Sequence, residues 1–102
     1  MKITSDTNVK SGGGNVILQA GSFVEKIVDF AGVGKKKPVI AEQHLIEQYG
    51  GRKGSWKHTR GEAKVLDGNK TRRAELHWFE SDDVGQVNIK VKRFMEESEN
   101  ES

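Results

Sequence analysis

Polar and apolar residues alternate with a period of two along three stretches of the C-terminal half, and each stretch predicts a strand with one buried and one open face. In Trp56–Val65 the even positions are polar or aromatic and the later odd positions are small or apolar. In Arg73–Phe79 the odd positions carry the charge, and in Val87–Lys92 apolar Val87, Ile89 and Val91 alternate with Asn88, Lys90 and Lys92. Leu66-Asp67-Gly68-Asn69-Lys70 joins the first two with a hairpin signal, and the turn-rich Glu80–Gly85 joins the last two. Two antiparallel hairpins fix the parity, because a one-residue slip turns every side chain over. Thr59, Ala63, Val65, Ala74, Leu76, Trp78, Val87, Ile89 and Val91 are then expected on one face. Trp56, His58, Arg60, Glu62, Glu75, His77, Phe79, Asn88, Lys90 and Lys92 are expected on the other, with His77 beside Arg60 and beside Asn88 or Lys90.

The N-terminal half reads as support. Residues 1–21 are polar, contain Ser11-Gly12-Gly13-Gly14, and are expected to be a flexible segment, with Val16-Ile17-Leu18 a short edge strand or anchor. Ser22 and Glu25 have capping-box spacing, and Phe23, Ile27, Phe30 and Ala31 recur at helical intervals, so a first helix is expected before Gly32. A second is expected from about Pro38 to Tyr49, stopped by Gly50, with His44 off its inner face. The expectation is an α+β domain over 22–94, with two N-terminal helices on one face of a twisted antiparallel sheet of about four strands. Residues 95–102 are expected to be an acidic, disordered tail.

Composition narrows the function. The chain has 102 residues, 33% hydrophobic and 31% charged, enough for one thin core. No apolar run approaches membrane-spanning length, and no signal-peptide pattern opens the sequence. The absence of cysteine excludes disulfides and thiolate metal sites, and the dispersed His44, His58 and His77 argue against structural zinc. Net charge is +2, but residues 52–93 carry 11 Lys and Arg against 6 Asp and Glu, while 94–102 carry four glutamates and no cation. A basic sheet suits a polyanion.

The open face holds the chemistry that cofactor-free, metal-independent RNA cleavage needs: a base for the ribose 2′-hydroxyl, an acid for the leaving oxygen, and cations around the phosphate. His58, His77 and Glu75 are the candidate acid–base groups, and Arg60, Lys90 and Lys92 the candidate phosphate cations. Trp56 and Phe79 are candidate stacking platforms for single-stranded RNA. Arg52 and Lys53 in the Gly51–Gly54 loop, with Arg73 and Asn88, complete the candidate RNA contacts. That loop lacks the Gly-Lys-Ser/Thr spacing of a Walker loop. The bland reading of a strand histidine or glutamate is a hydrogen-bonding or cross-strand ion-pair partner.

The segments Gly51–Gly61, Ala74–Glu80 and Val84–Lys92, with Trp56-x-His58 and Glu75-x-His77-Trp78, resemble the C-terminal toxin domains of bacterial polymorphic toxins of the contact-dependent growth inhibition and Rhs types. Such domains are similar to the barnase–EndoU–colicin–RelE nuclease group. The resemblance implies helices followed by an antiparallel sheet, and a metal-independent RNase commonly cutting tRNA. It also implies secretion within a larger effector, action in the cytoplasm of a target bacterium, neutralisation by a cognate immunity protein, and in some cases a host elongation factor as helper. The residues themselves leave open a non-catalytic RNA-binding module, a protein-interaction domain and, more weakly, a DNase.

Overall fold

A computed structural model describes residues 1–95. Six strands and one helix follow in the order β1 (Thr7–Ser11), β2 (Gly14–Leu18), β3 (Glu25–Gly32), α1 (Glu42–Tyr49), β4 (Trp56–Asp67), β5 (Lys70–Ser81) and β6 (Gly85–Phe94). The sheet order is β2-β1-β6-β5-β4-β3, and β2 also meets β4 through Ile17↔Leu66. Five strands therefore close into a barrel, and β3 lies outside the ring on the edge of β4. All pairings are antiparallel except β1 with β6, which run parallel and register at one pair, Lys10↔Lys90.

This architecture replaces the expected two-helix, four-strand α+β plan of the barnase–EndoU–colicin–RelE type. The first expected helix is strand β3. Its helical spacing arises from two register shifts, between Glu25 and Val28 and between Asp29 and Ala31, which break a period of two into longer intervals. Ser22, the expected cap, instead donates its hydroxyl to the Gln19 carbonyl. The second expected helix exists in shortened form as α1, with Leu45 buried and the Gly50 N–H donating to the Ile46 carbonyl at 2.8 Å. Residues 7–15, expected to be flexible, form a hairpin of the barrel together with Val16–Leu18, expected as a short edge strand or anchor. Ser11 pairs with Gly14 across a two-residue turn in which Gly12 takes φ +56°, a conformation that favours glycine. The expected acidic tail falls, beyond residue 95, outside the described residues.

The barrel interior is filled by Val9, Val16, Leu18, Ala63, Val65, Ala74, Leu76 and Trp78, joined by Ile3 and Val24. Each large side chain fully buried in this way contributes roughly 1.5–3 kcal/mol. Gly61 faces inward where Val24 and Trp78 converge, since a Cβ there would sit 2.6 Å from Val24 Cγ1 and 3.1 Å from Trp78 Cη2. Thr59, Ala63, Val65, Ala74, Leu76 and Trp78 occupy the buried face that strand parity predicts. Ile89 and Val91 pack partly buried against the same core. Val87 does not follow them: β6 gains one residue between His77↔Lys90 and Phe79↔Val87, so Val87 lies opposite Phe79 rather than beneath it. Asn88, with φ +55°, makes that bulge.

Candidate functional site

Strands β4 and β5 pair without interruption from Trp56↔Ser81 to Asp67↔Lys70. This ladder sets Arg60 opposite His77 and His58 opposite Phe79, and β6 sets Lys90 opposite the other side of His77. The outer surface of three adjacent strands thus gathers one cluster. The His58 and His77 rings meet edge to face with centroids 5.6 Å apart. His58 stacks on Phe79 at 4.2 Å, and Phe30 from β3 lies 4.3 Å from His58 and 5.3 Å from His77. His77 Nε2 lies 2.8 Å from Glu75 Oε2, and the second carboxylate oxygen of Glu75 accepts from Arg93 Nε at 2.9 Å.

The charges divide the two histidines. Burial beside the aromatic rings, followed by the positive charges of His77, Lys90, Lys37 and Lys92, lowers His58 to a pKa of about 4. His58 is therefore neutral near pH 7. Glu75 is held below its ordinary value, first by the hydrogen bond from His77 and also by Arg93, against the opposing effect of its own burial. An ionised carboxylate only accepts hydrogen bonds, so His77 carries its hydrogen on Nε2. The ring is then oriented with Nδ1 as the nitrogen left for other chemistry.

Other expected site residues are spread more widely. Arg60 is exposed and lines a small depression with Glu75, Arg93, Glu62 and Lys26. Arg73 lies 3.3 Å from Glu62 and 3.5 Å from Glu25. Lys92 acts on His58 through its charge, and Asn88 accepts from the Tyr49 hydroxyl at 3.1 Å. Trp56 is not a stacking platform: it is 1% exposed, its indole N–H donates to the Gly50 carbonyl, and the Tyr49 ring lies 6.4 Å away. The chain around the end of α1 covers a position that alternation alone leaves open. Arg52 is engaged by Asp83, through Nε at 3.0 Å and Nη2 at 3.2 Å, and its own N–H binds the same carboxylate. Lys53 stays exposed in that loop, beside Arg52 and Asp82.

Three residues of the cluster escape a reading of the sequence. Phe30 was expected inside a helix, and Lys37 falls in the loop between the two expected helices. The Gly32 N–H donates to the Lys37 carbonyl at 2.7 Å, which folds that loop back toward His58. Arg93 reaches Glu75 because β6 takes a second extra residue between Glu75↔Arg93 and Leu76↔Val91. No local sequence signal marks that bulge.

Comparisons with family models, curated proteins and solved structures find no match. Among the described residues, no helix is long and apolar enough to cross a membrane.

Proposed function

We propose that this protein is a metal-independent endoribonuclease whose His58 and His77 divide proton transfer across one phosphodiester. The observation that carries the reading is the two imidazoles in contact, one neutral and one oriented by a carboxylate, beside cations on adjoining strands. Neutral His58 takes the proton of the ribose 2′-hydroxyl, and O2′ attacks phosphorus. The bond from phosphorus to the 5′-oxygen breaks, and protonated His77 gives its Nδ1 proton to that leaving oxygen while Nε2–H stays on Glu75. The products are a 2′,3′-cyclic phosphate and a free 5′-hydroxyl. Lys90 and Lys92 lie where they can offset charge on the phosphoryl oxygens, with Lys37 and Arg60 at the margins. Phe79 offers a ring for a splayed base.

The roles follow from environment. A histidine with a pKa of about 4 carries too little proton near neutrality to serve as the acid, which leaves that role to His77. Cleavage of tRNA inside a target bacterium, an acidic immunity protein over the basic face and a host elongation factor as helper extend this proposal from the sequence resemblance alone. The second reading is a module that binds RNA on the same face without cutting it. Its support is the enclosure of His58 between Phe30 and Phe79.

The test is cleavage of total and transfer RNA by the purified chain, and by cells expressing it without an inhibitor. His58→Ala and His77→Ala are each expected to lower cleavage by about two orders of magnitude or more while the fold persists. Salt-sensitive RNA binding with no fragments from the wild type would instead establish the binding module.

A further inference from the structure

The parallel seam between β1 and β6 holds a groove of about 550 Å³, within the size range of small-molecule sites. Its origin is topological. The two strands register at Lys10↔Lys90 alone, and the Asn88 bulge carries β6 away from a regular ladder. Phe79, Val87 and Ile89 supply an apolar wall, Asn8 and Asn88 supply amides, and Lys10 and Lys90 supply charge. No carboxylate lines the groove, and neither lysine forms an ion pair among the described residues. Two of these residues belong to the histidine cluster as well: Phe79 stacks on His58, and Lys90 lies opposite His77.

We propose that this groove is a nucleotide subsite, which receives the base and sugar adjoining the scissile phosphate of single-stranded RNA. The proposal rests on the ribonuclease reading and adds to it the place where substrate is held. A flat, largely apolar body with hydrogen-bonding edges and one attached anion matches an apolar wall with amides and lysines at its rim. The Tyr49 hydroxyl already occupies Asn88 Oδ1, so the Asn88 amide nitrogen is left to donate to an acceptor on the base edge. A base lying along Phe79 and Val87 brings its phosphate to Lys90, and so to His58 and His77.

The experiment titrates the full chain with nucleoside 3′-monophosphates and with inorganic phosphate, by calorimetry and by amide chemical shifts. The nucleotide is expected to bind about tenfold more tightly than phosphate, the contribution of one stacked base, and to move the amides of Asn8, Val87 and Ile89. Val87→Trp, which fills the groove, is expected to abolish that preference and keep phosphate binding. Lys10→Ala, an exposed position that leaves folding intact, is expected to weaken nucleotide binding about tenfold. Equal affinity for phosphate and nucleotide overturns the proposal, as does unchanged nucleotide binding in Lys10→Ala. Nucleotide held in the groove of a chain that cuts no RNA would remove the ribonuclease reading and leave the binding site. Histidine-dependent cleavage without nucleotide preference would remove the subsite and leave the nuclease.

Discussion

The β4–β5 ladder and the β1–β6 seam are two ways of joining strands in one barrel. The ladder pairs twelve residues with twelve and never shifts register. The seam has one registered pair and adjoins a strand with two extra residues. The ladder fixes how the His58 and His77 rings meet across two strands, as acid–base chemistry requires. The seam leaves space, as binding requires. Precise side-chain geometry and an open groove therefore come from opposite qualities of backbone pairing, a few residues apart on the same β5–β6 surface.

Unequal tolerance of truncation is the strongest test of this contrast. Leu76→Ala, in the ladder's buried face, is expected to cost about 2–5 kcal/mol by denaturant unfolding, and Ile89→Ala at the half-buried seam about 1 kcal/mol. Equal losses would show that the seam is packed as tightly as the ladder. A smaller effect should follow at the bulge. Asn88→Val places a β-branched residue at φ +55° and is expected to cost about 1–2 kcal/mol, whereas Asn88→Gly stays within a few tenths. A tolerated valine would mean that β6 re-registers freely against β5.

The smallest effect concerns charge. The folded pKa of His58 lies below its unfolded value, so between about pH 6.5 and 4 the unfolded chain binds the extra proton and stability falls as pH falls. Lys37→Gln removes one of the cations that depress His58, so the acid limb of cleavage, near pH 4 in the wild type, should move upward by a fraction of a unit. A limb unmoved by Lys37→Gln and by Lys90→Gln would separate His58 from the general base.

The same contrast explains what could be read from the chain. The faces of β4 and β5 were legible because Asp67-Gly68 fixes a hairpin and no bulge intervenes, so the pairing of His77 with Arg60 follows from parity; on the β6 side parity left Asn88 or Lys90 open, and the bulge sets Lys90 there. Legibility ended wherever a strand gained a residue. Val87 changed sides across the Asn88 bulge, and β3 took on helical spacing across Lys26, with φ +54°, and the second shift near Phe30. The glycines at 12–14 looked like slack chain because two of them make a tight turn and the third starts a strand. Trp56 kept its predicted parity and was buried all the same, because alternation does not report what a helix and loop place on top of a strand. Lys10 and Lys37 carried no signal at all, since they approach the site only through tertiary closure.

The parallel contact of β1 with β6 also governs when the molecule can form. The first strand of the ring waits for the last, roughly eighty residues later, so the barrel cannot complete until Gly85–Phe94 has left the ribosome. Any activity that depends on the seam is thereby postponed until β6 has emerged, and a chain released before residue 85 would have no means of shutting the ring.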